Sequence, residues 1–403
     1  MKREVRLWVY LIAAINTSLA ISHPDTTLAP AIINKVLVYI NYCLLLLSYI
    51  LTDWKSLNKR NIQIVLVVVI WYAIKNLHVA PNATVQLQGG TFLLLLSFSL
   101  LSARDMADIM QKYRYFLIVS SALGLIAIFD YTVGLGIPHS IVPFYEDNVG
   151  VYIDYKFSYI HLESWLRLCG LFNEPGYFGT FLGFALVQEK FNMKKVGNII
   201  LLIAGIFTFS LAFYAIVIIG LMLTINNRKM FLKVSIFIAT LVLIVPYIAQ
   251  KYEHVEFILE RLEFDSSSKR FVGDNRTTSD FDLIIDRFNN SDKVLFGYGS
   301  GYLSSFHLKN VSSYKTALVE RGYLGFMLTY GLLLLCALGE TRKQRDAIVF
   351  ILCFAASIYQ RPGIFTMDYF LLLFGGVHYI RFYNTNEDTI KKPKKMIPSF
   401  DKS

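Results

Sequence analysis

The chain has 403 residues and a formal net charge of +10, yet only 17% of its residues are charged while 55% are hydrophobic. With a mean hydropathy of +0.48, it falls short of the roughly one-quarter charged content of a soluble domain, so lipid is the expected solvent. The basic residues stand in small groups between apolar runs rather than in one patch, which argues against nucleic acid as a partner.

A membrane-spanning helix needs about 20 apolar residues, with a range near 17–25. In chain order the candidates are 5–21, 33–51, 62–79, 85–101, 115–133, 168–187, 196–208, 209–225, 231–249, 323–338, 347–359 and 363–380. The first run follows Lys2, Arg3 and Arg6. It is long for a signal-peptide core, and although Ala20-Ile21-Ser22 imitates a cleavage site, a retained span is expected. The run 196–225 is too long for one comfortable span and short for two. Lys194 and Lys195 before it and Arg228 and Lys229 after it place both ends on one side, which demands a tight hairpin near Phe209-Ser210.

With both termini inside, Lys and Arg alternate between connections as the positive-inside rule requires. The expected fold class is an all-α integral membrane protein with about twelve transmembrane helices, one polytopic domain over 1–403. Two outer loops, 134–167 and 250–321, are large enough to be functional or disordered. In the second, 257–262 and 281–288 read as short amphipathic helices, with turns at 266–270 and 273–276.

The segment Arg167-Leu168-Cys169-Gly170-Leu171-Phe172-Asn173-Glu174-Pro175-Gly176 organises the reading. A charge at the bilayer centre costs about 2.5–3.5 kcal/mol on insertion scales. Broken, charged backbone at membrane depth is tolerated where it is buried in protein or lines a wet cavity. The simplest structural reading makes Asn173 a helix N-cap with Pro175 in the first turn. The functional one places Arg167 and Glu174 at a shared aqueous site. Arg261, Arg270, Arg276, Arg287, Arg321 and Arg361 also fall in outer connections, and arginine suits bidentate phosphate recognition. Glu163, Glu174, Glu320, Asp130, His139, His161 and His307 are the acid–base candidates there. Phe296-Gly297-Tyr298-Gly299-Ser300-Gly301-Tyr302 lacks the GK[ST] of a nucleotide loop and reads as a tight turn with aromatic rings for sugar stacking. The four cysteines, Cys43, Cys169, Cys336 and Cys353, form no CxxC or Cys/His pair, so neither a metal site nor a disulfide framework is expected.

Arg167-x-x-Gly170-Leu171-Phe172-x-Glu174-Pro175-Gly176 before a span resembles the signature of bacterial O-antigen polymerases of the Wzy type. Leu295-Phe296-Gly297-Tyr298-Gly299, followed by Glu320-Arg321-Gly322-Tyr323-Leu324-Gly325 opening a span, is similar to the same family, as are the span count and the two large loops. The resemblance implies a membrane glycosyltransferase using no metal, cofactor or nucleotide sugar. It would move a growing glycan from undecaprenyl diphosphate to a lipid-linked repeat unit at the periplasmic face of the bacterial inner membrane. A chain-length regulator is a possible partner. Arg167 and Glu174 are then the catalytic candidates, with Arg270, Arg276, Arg287, His307, Glu320, Arg321 and Arg361 binding substrate. O-antigen ligases share this layout. Ser312, Gly322 and Gly325 fit the spacing of their loop motif, but Asn310 stands at its histidine position and His307 lies three residues early. A flippase or other carrier is the alternative from a different class. Carriers usually show related halves and charges deep in spans, whereas this chain puts its charge in two asymmetric loops.

Overall fold

Apolar runs that meet lipid must satisfy their own backbone, and a helix does this within one segment. The computed structural model describes residues 2–22, 28, 31–51, 58–81, 89–143, 150–162, 165–225, 232, 264–265, 270–271, 279–306, 313–341 and 344–384. It is mostly helical, at 73%. The helices are α1 (Lys2–Ser18), α2 (Ala31–Leu51), α3 (Lys59–Leu77), α4 (Gly89–Ser99), α5 (Ala103–Val133), α6 (Pro175–Gln188), α7 (Val196–Phe207), α8 (Leu211–Thr224), α9 (Ser279–Asn289), α10 (Tyr314–Glu340, with a π turn at Met327–Gly331), α11 (Arg345–Ile358) and α12 (367–384, starting at Met367–Phe370 and passing through two π turns). Three of them, α3, α5 and α10, are long and apolar enough to cross a membrane. The expected span 231–249 lies outside the described residues except for Leu232.

Ion pairs and main-chain bonds show which helix ends share a side. Arg3, at the start of α1, reaches Asp105 in the first turn of α5 at 2.7 Å. Lys190, after α6, meets Asp346 at the start of α11 at 2.7 Å, and Arg345 donates to the carbonyl of Leu223 in the last turn of α8 at 2.6 Å. At the opposite end, the Ala20 amide donates to the Leu171 carbonyl at 2.8 Å. The α7–α8 connection is a tight hairpin. Phe209 takes a left-handed φ of +45°, and Ser210 caps α8 by accepting from the Phe213 amide. The turn expected at Phe209-Ser210 is therefore present in the folded chain.

The expectation of an all-α chain needs correction in the first large loop. Strands β1 (Ser140–Pro143), β2 (Val151–Asp154), β3 (Tyr159–Leu162) and β4 (Leu166–Gly170) form an antiparallel sheet in sequential order. Its buried face carries Ile153, Ile160 and Leu168 onto the helices, and Tyr155 fastens it to α5 by donating to Asp130 at 2.6 Å. The sixth expected span consequently starts at Pro175 rather than Leu168, because residues 166–170 pair as strand. In the second loop, β5 (Phe264–Asp265) and β6 (Arg270–Phe271) make a minimal hairpin, and α9 covers the amphipathic segment 281–288. The segment 257–262 and the turn 273–276 lie outside the described residues.

α10 starts at Tyr314, nine residues before the expected span, but its hydrogen-bond ladder is broken at Gly322, where φ is +69° and ψ 174°. The loop 294–299 fills the break. Tyr298 and Gly299 donate to the carbonyls of Val319 and Glu320, while Tyr323 and Leu324 donate to those of Val294 and Leu295. Two freed acceptors and two freed donors are thus satisfied by one loop. A Cβ on Gly322 would lie 2.2 Å from the Leu295 carbonyl oxygen, so the approach requires glycine. The segments 294–299 and 319–324 are thus one interlocked unit.

Candidate functional site

β4 leads through a turn into the first turn of α6. Tyr152 donates to the Asn173 carbonyl, and Leu171 donates to Ser120 Oγ at 3.3 Å, fixing this turn from both the sheet and α5. Pro175 takes the first helical position, where its missing N–H costs nothing. The cap position belongs to Glu174 rather than Asn173, and the Glu174 side chain makes no cap bond. Its Oε2 instead accepts from Arg361 Nη2 at 2.7 Å. A plain helix start is therefore not what this carboxylate serves. It holds Arg361, a partner the sequence had not assigned to it.

Arg361 lies in the connection between α11 and α12. Its guanidinium stands 5.6 Å from the centre of the Tyr177 ring, a cation–π distance. A Cβ on Gly176 would come within 2.7 Å of Nη2, so glycine lets the guanidinium lie against the helix. The side chain is 14% exposed. Nε is buried and donates to no group among the described residues. Burial pulls the Arg361 pKa down; the Glu174 carboxylate, with Tyr369 and Tyr177, outweighs it and leaves the net shift upward.

Arg167, on β4, donates from Nε to the Thr208 carbonyl at 3.3 Å and from Nη2 to that of Phe209 at 3.4 Å. These carbonyls close α7, where a cation is favoured by the helix dipole. The same turn packs on α6, with Thr208 Oγ1 2.7 Å from a Cβ placed on Gly179. Arg321, on α10, faces the Tyr330 ring at 5.8 Å. Its Nε and Nη1 are buried without a hydrogen-bond partner among the described residues. Tyr330 in turn donates to the Pro362 carbonyl at 2.8 Å, next to Arg361. Arg167, Glu174 and Arg361 thus gather about the first turn of α6 from three separate elements, and Arg321 is tied to the Arg361 connection through Tyr330.

Other expected site residues fall elsewhere. Glu320 Oε1 accepts from the Gly301 amide at 3.0 Å and ties down the glycine-rich loop. Arg287 is exposed in the last turn of α9, which packs on the start of α10 rather than on α6. Arg270 is in β6, where only the backbone is described, and Arg261, Arg276, His307 and Asn310 lie outside the described residues. In the glycine-rich loop, Tyr298 and Tyr302 stack on each other at 4.3 Å.

Behind Glu174 and Arg361 runs a polar chain that the sequence reading missed. The Tyr177 hydroxyl donates to Asp368 Oδ2, and Ser18 Oγ donates to the same oxygen at 3.2 Å. Ser18 Oγ also lies 2.6 Å from the Tyr113 hydroxyl. Asp368 is fully buried. A signal existed: Asp368 is the one acidic residue in the expected span 363–380, and an acid within a span marks a functional site by default.

Among the described residues no group of three or more His, Cys, Asp or Glu is placed to hold a metal ion. Cavities of about 740 and 340 Å³ open at the other end of the bundle, where Arg104 and Lys112 line one and Arg114 and Lys195 the other. Neither includes Glu174 or Arg361. Compared with family models, with curated proteins and with solved structures, the chain matches none.

Proposed function

We propose that the chain is a polytopic membrane glycosyltransferase that polymerises lipid-linked repeat units, taking the growing glycan from undecaprenyl diphosphate. The observation that carries this reading is the set of arginines from separate elements around the start of α6. Arg361 in this set, and Arg321 on α10, have buried N–H donors without a hydrogen-bond partner among the described residues. A diphosphate supplies several anionic oxygens to such donors, and charge-assisted bonds of this kind are the strong ones. The sequence resemblance, which ran through Arg167–Gly176 and Glu320–Gly325, falls on this same group of residues.

The topology we propose has about twelve spans, with both termini in the cytoplasm of a bacterial cell and the arginine site facing the periplasm. It is supported by the gathering of Arg3, Arg6, Arg104, Lys112, Arg114 and Lys195 at the helix ends opposite the site. Attack by an acceptor sugar hydroxyl on the anomeric carbon breaks that carbon's bond to the diphosphate oxygen, and the electron pair leaves with the diphosphate. Arg361, Arg321 and Arg167 stabilise the departing charge, and Glu174 keeps Arg361 in place, so positioning and electrostatics carry the catalysis.

The test is reconstitution of the full chain in lipid vesicles with undecaprenyl diphosphate-linked repeat units, read as a ladder of glycan lengths. A ladder that appears with the protein and fails with Arg361→Ala is the expected result. Transfer only onto a lipid A core would replace this reading with a ligase. Movement of units across the bilayer with no new glycosidic bond would replace it with a carrier.

A further inference from the structure

A transfer to a sugar hydroxyl must also dispose of the hydroxyl's proton, and Glu174 is poorly placed to take it. A carboxylate already paired with a guanidinium at 2.7 Å is a weakened base. Asp368 is different. Its Oδ2 accepts from Tyr177 and Ser18, and its Oδ1 from the Tyr369 amide at 3.0 Å. No cation pairs with it among the described residues, although it is fully buried. An uncompensated acid of this kind is costly to bury, and its retention points to use.

A hydrogen bond connects it to the proposed site. Tyr177 lies in the first turn of α6, one face beneath the Arg361 guanidinium and its hydroxyl on Asp368. We infer that Tyr177 takes the proton of the acceptor hydroxyl and that Asp368 is the positioning residue that receives the phenol's own proton. This rests on the proposed glycosyl transfer and assigns the base that reading left open. The acceptor O–H bond breaks as its oxygen bonds to the anomeric carbon, and the pair of the broken C–O bond leaves on diphosphate. The acceptor's proton goes to the Tyr177 oxygen while the Tyr177 proton goes to Asp368 Oδ2. After product leaves, the relay runs backward and delivers the proton to water at the site mouth. Ser18, to which the Tyr113 hydroxyl is bonded, has its one proton within reach of both the Ala14 carbonyl at 2.9 Å and Asp368 Oδ2 at 3.2 Å, and turns it to the carboxylate when that is ionised. The titratable groups that face Asp368 are Tyr177 from α6, Tyr113 from α5 and Tyr369 from its own helix, with Arg361 beyond the Tyr177 ring.

The experiment measures kcat and KM against pH in the vesicle assay for the wild type and for Asp368→Asn, Tyr177→Phe and Ser18→Ala. Gel filtration and thermal melts in detergent monitor the folded fraction. Asp368→Asn and Tyr177→Phe should each lower kcat at least tenfold with KM within about twofold, and the double variant should be no worse than the worse single one. The wild-type rate should rise with pH along an acid limb that Asp368→Asn removes. Ser18→Ala takes away one donor to the carboxylate, so it should move that limb to higher pH while the protein stays folded. Wild-type kcat and an unchanged acid limb in Asp368→Asn would overturn the relay, as would an unmoved limb in Ser18→Ala. A wild type that makes no glycan ladder would instead remove the proposed function, a result distinct from either.

Discussion

The two ends of the bundle each hold an arginine–carboxylate pair at the same distance, and the two carboxylates differ in how far they are closed in. Arg114 meets Glu189 at 2.7 Å, and Arg361 meets Glu174 at 2.7 Å. Glu189 is 3% exposed and also accepts from Lys195 and Tyr379, while Arg114 reaches on to Asn198. Those bonds join α5, α6, α7 and α12 beside the cavity of about 340 Å³ that Arg114 and Lys195 line. Glu174 is 37% exposed, and Arg361, like Arg114, keeps a buried Nε without a hydrogen-bond partner among the described residues. Distance alone does not separate a structural tie from a working pair. What differs is the carboxylate: Glu189 is closed in by its partners, whereas Glu174 is open to its surroundings.

Breaking the pair should therefore cost different things at the two ends. Glu189→Ala strands a buried guanidinium and should destabilise the fold by about 3–5 kcal/mol, seen in denaturant unfolding of the solubilised protein. Arg361→Ala should leave the fold largely intact. Losing one charge-assisted interaction of about 1.5–3 kcal/mol should slow glycan transfer by about 10- to 150-fold. Lysine at 361 should restore only part of it, since the charge returns without the planar fork. Equal loss of folded protein in both alanine variants would erase the distinction.

Gly176→Ala sharpens the comparison with a smaller change. The added methyl is a better helix former by about 1 kcal/mol, but it must push the Arg361 guanidinium aside. Activity should fall several-fold while the melting temperature holds or rises, a split that a purely structural pair would not show.

The smallest effect is in pH. Burial pushes the Glu189 carboxyl up, but Arg114, Lys195 and Tyr379 together reverse this and leave it below its usual value of 4.5. A depressed carboxyl contributes stability above its unfolded pKa and loses it as pH falls through the folded one. Wild-type stability should accordingly decline below about pH 4.5. Glu189→Gln should flatten that part of the decline in a pH series of melts.

Hydropathy and charge marked most helices, and even the α7–α8 hairpin was legible, because Lys194, Lys195, Arg228 and Lys229 bracket it. The sheet in the first loop was not. Its strands are four or five residues long, and Lys156 takes the left-handed φ of +68° in the β2–β3 turn, where glycine or asparagine would have signalled it. At the site, Arg167, Glu174, Arg321 and Arg361 could be named individually from charge near apolar runs. Their pairing could not, since Glu174 and Arg361 are 187 residues apart and nothing local encodes that contact. Asp368 was hidden by its surroundings, an acid in a run otherwise read only for its hydrophobicity.

The loop seated in the broken helix α10 has a consequence for how that region opens. Neither half of the exchange can be undone alone: pulling residues 294–299 out leaves the carbonyls of Val319 and Glu320 and the amides of Tyr323 and Leu324 bare together. Opening should thus be all-or-none over this unit. In deuterium exchange, the amides of Tyr298, Gly299, Tyr323 and Leu324 should share one protection factor and lose it together. The angle between the two halves of α10, and with it the station of Arg321, then has a single setting for as long as the unit stays shut.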